Sequence, residues 1–434
     1  MRPLFAARPS TRCHSIRIFE PNDFAVSSKL GKAGFLSVST LRPRKSEGRE
    51  GGDRDGLLPS SLGGSQSVAE GTVEVTLYRG RIIRGPLMGT RCLLKAYPAS
   101  GDALAANELA AFASVQPAAA AAAPAPSARG PYPWLAGGGP TPRPPAPPRA
   151  SPHLSVLLGG FELASSGERW LAFRDEGALS ADAWARAAAA AGPGRLLGMQ
   201  PPLFARPGRT ARLRRAFALR TLRGVMRGLA TLHAADRTHG SLGPGSVLLS
   251  TGDETDAPAL TARLADLAFS ADTSPGALVG GGTLGELWDM GGLALALRAA
   301  REAASPAALV WREAAAAGAG AVWDRPLFAK AADAAAAGHL VAYLSMAPFC
   351  DPGSLDPVSL ARLLDVTCQG DVEAARTFVE AEPAWSGGAA MLGDARGGAG
   401  WELVGRLIAP RDWRGRPTPE ACLEHPFLSG AAFE

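Results

Sequence analysis

The sequence predicts an α+β protein, a small β-rich first part followed by a larger helical one, arranged as two lobes with a cleft between them. Two patterns lead to that expectation. In "EGTVEVTLYRGRIIRGPLMGTRCLLKAYP", β-branched and aliphatic residues alternate and Gly80, Gly85 and Gly89 punctuate, as in antiparallel strands joined by tight turns. Beyond Ser180 the apolar residues recur at helical spacing instead, with Leu222, Val225, Met226, Leu229 and Leu232 forming one stripe. A chain of 434 residues, 46% hydrophobic, can bury one large or two moderate cores.

Residues 1–55 are rich in Arg and Ser, hold no acid before Glu20 and lack the continuous apolar run of a secretory signal. This is the composition of a disordered organellar transit peptide. Dense Ser and Thr, with prolines interrupting any amphipathic Arg helix, favour chloroplast over mitochondrion; a tail on a cytoplasmic protein is the alternative. Strands follow over 71–97, then a short helix in "DALAANELAAFASVQ" with Leu104, Leu109 and Phe112 toward a core. Residues 117–152 are Ala, Pro and Gly with almost nothing to bury, and read as an insertion. Strand character returns in "HLSVLLGGFEL" and "ERWLAFRDEG", which completes a first lobe over 71–177. The second lobe spans 178–428 and includes a second insertion, 338–400. Its "PVSLARLLDVTCQGDVEAARTFVE" suits an amphipathic helix offered to a protein partner.

Charge excludes more than it assigns. The formal net charge is +5, but residues 1–50 hold ten Lys/Arg against four Asp/Glu, leaving 35 against 36 in the rest. A near-neutral body gives no electrostatic reason to expect nucleic acid. The exception is Arg206 to Arg227, with eight arginines and no acid, either a solvated helix face or a docking patch for an acidic partner. Cys13, Cys92, Cys350, Cys368 and Cys422 are scattered, with neither Cys-x-x-Cys nor metal-ligand spacing, which argues against a disulfide framework and structural zinc. No stretch reaches the roughly 18–20 apolar residues of a membrane span.

Six landmarks then occur in a fixed order: "CLLKAY", "NELAAF", "WLAFRDEG", "GLATLHAADRTHGSLGPGSVLL", "ARLADLAFS" and "RPTPEACLEHPFL". In that order and with these gaps the chain resembles the protein kinase family over Gly71 to Leu428. The resemblance implies the family's two-lobed fold, Mg and ATP as cofactors, and roles for particular residues. Lys95 takes the place of the phosphate-binding lysine and Glu108 of its ion-pair partner. Arg174, Asp175 and Glu176 fall where the adenine is held by backbone groups. Asp266 and Ser246 fall at the two metal-binding positions.

Departures from the pattern concern chemistry more than packing. The first hairpin has no G-x-G-x-x-G, and Gly80 is the best candidate for its tip. His239 keeps the histidine of H-R-D, but Gly240 replaces the arginine and Ser241 the aspartate. A serine hydroxyl cannot act as a carboxylate near neutral pH. Gly243 replaces the phosphate-contacting lysine, and Ser246 the asparagine. Glu286 is expected where an aspartate ties a helix to the catalytic loop, and Arg416 has lost its A-P-E partner. The expectation is an organellar pseudokinase, a scaffold or regulator with a protein partner and residual ATP binding. An atypical active Ser/Thr kinase, with a carboxylate entering the site from elsewhere since Asp236 and Asp253 flank the loop without the required spacing, and a nucleotide-free interaction module are the alternatives.

Overall fold

The computed structural model describes residues 16–36, 72–116, 151–177, 179–192, 208–274, 324–393, 397–409 and 413–429, with Leu197, Ala314, 317–319 and Ala321 between them. A six-stranded mixed sheet comes first, followed by a helical part, so the α+β class holds.

The sheet contains β1 (Arg17–Ile18), β2 (Phe24–Leu36), β3 (Thr72–Ile82), β4 (Arg91–Tyr97), β5 (Leu157–Leu163) and β6 (Glu168–Arg174), in the spatial order β1-β5-β6-β4-β3-β2. Only the β1–β5 pair is parallel. The β3–β4 turn, 83–90, includes Gly85 and Gly89 at positive φ, as the punctuation of that stretch predicts. Helix α1 (Asp102–Val115) packs on the inner face, burying Leu104 and Phe112 and leaving Leu109 partly buried; Phe112 meets Phe173 edge-on, with centroids 5.1 Å apart.

Residues 16–36 correct the leader reading. The Arg- and Ser-rich average of the first 55 residues hid a 13-residue strand, β2, which pairs with β3 from Phe24↔Ile82 to Leu36↔Thr72. Between β1 and β2 the chain crosses the outer face of the sheet, and Phe19 and Phe24 are buried there with Ile82, Cys92, Leu94, Leu158, Phe161 and Ala172. The rings of Phe24 and Phe161 are 5.3 Å apart although their strands are four places apart, about 19 Å in a flat sheet. The sheet is therefore strongly curled, and the strap holds the curl. The remainder of the expected leader, 1–15 and 37–55, and residues 117–150 of the first insertion lie outside the described residues.

The helical part begins with β7 (Leu179–Ser180) and α2 (Ala181–Ala191), capped by the Ser180 hydroxyl. Helix α3 (Arg209–Ala234) buries Leu222, Val225, Met226, Leu229 and Leu232, the stripe expected from their spacing. Gly224 and Gly228 let α3 approach β9 (Ala262–Leu264), which pairs with β8 (Val247–Leu249). The 23-residue α4 (Asp324–Met346) runs through the helical core, followed by α5 (Pro357–Arg362), α6 (Val372–Ala381), α7 (Ser386–Gly393), α8 (Ala399–Ile408), α9 (Pro419–Glu424) and α10 (Pro426–Ser429). Gly338 lies in the middle of α4, pressed on Leu407 and Ile408 of α8. The expected boundary at 338 therefore falls inside a core helix, and 338–400 packs with the helices on either side of it. Among the described residues no helix is long and apolar enough to cross a membrane.

Candidate functional site

Strand β4 is central, and its alternation puts Lys95 and Tyr97 on one face, toward α1. The Lys95 ammonium is buried, bonded to Glu108 Oε1 at 2.7 Å and to the Asp266 carboxylate, 5.0 Å from the Phe173 ring centroid. Burial alone would lower the Lys95 pKa, but Asp266 and Glu108 hold it above its ordinary value, so the lysine is charged. Only thirteen residues separate Lys95 from Glu108, and the two still meet because α1 starts five residues beyond Tyr97. Glu108 Oε1 also accepts the Leu267 N–H at 3.1 Å, while Oε2 accepts the Tyr97 hydroxyl.

Asp266 follows β9 in a left-handed conformation, φ 63, with its side chain 26% exposed. The turn after it, Leu267–Phe269, is buried. Asn107 on α1 clamps that turn, donating Nδ2 to the carbonyls of Ala268 at 2.8 Å and Ser270 at 2.9 Å. Neither Tyr97 nor Asn107 was singled out from the sequence. Their signal was position: Tyr97 is two residues from Lys95 on one strand face, and Asn107 adjoins Glu108.

The loop 239–246 sits below this cluster. Ser241 donates its hydroxyl to the Asp266 carbonyl at 3.0 Å, and its N–H to His239 Nδ1 at 3.3 Å. The Ser246 hydroxyl closes a local ring with Gly243, donating to its carbonyl at 2.9 Å and accepting its N–H at 3.0 Å. His239 is fully buried, and burial lowers its pKa, so its imidazole is neutral. The loop is anchored from α4: the N–H groups of His239 and Gly240 donate to the two Asp333 oxygens at 2.7 and 2.9 Å, and His233 Nε2 lies 3.0 Å from one of them. Asp333 thus ties a helix to the loop, the role expected of Glu286, which lies outside the described residues. Arg416 donates to the Ala331 and Ala409 carbonyls at 3.0 and 2.9 Å.

Other expected residues lie apart. Lys95 stands opposite Leu171, and Arg174 is three residues further along β6, about 10 Å away. The N–H groups of Arg174 and Asp175 are already engaged with the Val156 and Arg91 carbonyls. The Asp175 carboxylate is buried between Arg79 at 3.3 Å and Arg91 at 3.5 Å, and Glu176 pairs with Arg263 at 2.9 Å. Gly80 is no hairpin tip: it lies within β3, paired to both Val26 and Cys92, because the actual turn comes three residues later. The glycines nearer Lys95 are on β2. Gly31 and Lys95 both face Leu77 in the pairing register, and Gly34 follows toward the free end of that strand pair. "GKAGFL" went unnoticed because it fell within the assumed leader.

The site therefore brings together Lys95, Glu108, Asp266, Ser241, His239 and Ser246. Lys95 can bind an anion and Asp266 can share a cation, while both serine hydroxyls are held by backbone carbonyls. No protein-family model matches the sequence, and no curated protein matches it significantly.

Proposed function

We propose that the chain is a protein-kinase-like scaffold or regulator that binds Mg·ATP without effective phosphoryl transfer. One observation carries this reading. Lys95, Glu108 and Asp266 converge from three segments into one buried cluster, while Ser241 and Ser246 turn their hydroxyls into loop-holding hydrogen bonds. The glycine-bearing β2 beside the Lys95 row and the Asp333 anchor support the same reading.

The residues fit a nucleotide better than an autonomous metal site. Asp266 is the single partly exposed carboxylate of the cluster, and Mg²⁺ is commonly held by one or two carboxylates plus substrate phosphates. Among the described residues no group of three His, Cys, Asp or Glu could hold a metal ion. Mg would neutralise phosphate charge; Lys95 would bind a phosphate oxygen and Glu108 would orient Lys95. An active kinase is the weaker reading, because Asp236 pairs with Lys330 at 3.1 Å and Asp253 caps the 254–259 turn. Neither supplies the missing carboxylate. Chloroplast residence rests on composition alone, and β1 and β2 confine any dispensable leader to residues before Ile16.

The test has two steps. Mg·ATP at about 100 times its Kd should stabilise the pure protein by roughly 2.7 kcal/mol, and Lys95→Ala with Asp266→Ala should abolish the thermal shift. Absence of any shift in the unaltered protein would favour the nucleotide-free module. Single-turnover measurement should then find phosphoryl transfer no faster than uncatalysed hydrolysis, and transfer abolished by the same two substitutions would overturn the proposal.

A further inference from the structure

Among the described residues, helix α3 has a basic face without acidic partners. Arg209, Arg212, Arg220, Arg223 and Arg227 fall within about 80° of one another at 3.6 residues per turn, over a length of about 27 Å. Four of them are exposed and Arg223 is half-buried. The helix contains no acid, and none of the five has a carboxylate within 4 Å among the described residues. Arg263, which lies near His153 as Arg220 and Arg227 do, is paired with Glu176 at 2.9 Å.

Two of the arginines are held ready. Arg220 donates Nε to the Leu260 carbonyl at 3.2 Å, and Arg223 donates Nε to the Leu428 carbonyl. In both cases the Nε bond restrains the side chain and leaves the terminal amino groups for a further acceptor. A restrained guanidinium loses less freedom on binding and recognises carboxylates through paired, charge-assisted bonds. Crowding works in the same direction: the Arg223 pKa is lowered by burial and then by Arg227 and Arg220, a repulsion that a bound anion relieves.

We infer that this face of α3 is a docking surface for an acidic polypeptide segment of a partner protein. It has none of the large exposed apolar residues that membrane insertion uses, and no aromatic residue on which a base would stack. Nor is any of the three longest segments outside the described residues an acidic one. Residues 37–71 hold five acids against five bases, 117–150 none against three, and 275–323 four against three. The surface is separate from the Lys95 cluster and does not depend on the kinase-like reading.

The full chain can be titrated into a fluorescein-labelled twelve-residue peptide rich in Glu and Asp, with anisotropy as the readout. Binding is expected to weaken with added salt, at least tenfold in Arg220→Gln/Arg227→Gln, and to stay unchanged in Arg362→Gln on the exposed side of α5. Arg227→Gln alone, at an exposed position whose side chain makes no hydrogen bond among the described residues, should weaken it about threefold. Equal affinity in all variants overturns the inference. So does tighter binding of a duplex oligonucleotide of equal charge, or of phosphatidylserine vesicles, than of the peptide.

Discussion

Gly240 holds φ at 73 with its α-carbon against Phe269, so close that any Cβ would collide with the Phe269 carbonyl oxygen. The contact shows why no side chain, the arginine of a kinase-like loop included, fits at this position. Gly240→Ala should lower stability by about 2 kcal/mol or more. Urea unfolding measures this as a lower midpoint at unchanged slope. An unshifted midpoint would mean that the loop can move away from Phe269.

Asp333 gathers three donors from the loop and α3 into one buried carboxylate. An amide in its place would turn its own NH2 toward one of those donors. Asp333→Asn should therefore cost about 3 kcal/mol, and exchange of the His239 and Gly240 amide protons should quicken. Burial alone would raise this carboxyl's pKa, but the bonds from His233 and the Gly240 N–H hold it below 3.8. Its contribution to stability is complete above that pH and is lost as pH falls through the depressed folded value.

Histidine titration acts at higher pH. Burial lowers the pKa of His239, and of His153 and His425, below the ordinary 6.5. The unfolded chain takes up these protons first on acidification, so stability should start to fall below about pH 6.5, before Asp333 titrates. Unfolding free energies measured between pH 7.5 and 5 should decline, and His239→Gln should decline less steeply. A flat profile in the unaltered protein would rule this out.

Removal of residues 1–15 should leave the melting temperature within a degree or two, whereas removal of 1–55 takes away β1, β2 and the Phe19–Phe24 strap. The longer truncation should be insoluble or melt far lower. A well-folded 56–434 fragment would show that the strap is dispensable.

How legible all this was depended on how local the signal was. The α3 stripe and the β3–β4 hairpin are short-range patterns, and both formed as expected. Lys95 and Glu108 were also legible, because a lysine in an apolar strand requires a partner and the next helix offers one glutamate. Asp333 was not: in "AKAADAAAAG" it resembles any helical aspartate, and only the tertiary approach of α4 to the loop gives it three donors. The strand at 24–36 was hidden for a different reason. Its Ser and Lys residues belong to an edge strand, whose composition averages into the basic residues around it.

The strap also sets an order of events during synthesis. Arg17 pairs with Gly159, and β2 must wait for β3. Strand β1 is thus made well before its neighbour β5 exists, a long-range closure that slows folding. Until β5 has emerged, β1 has no partner in the sheet and remains available to chaperones.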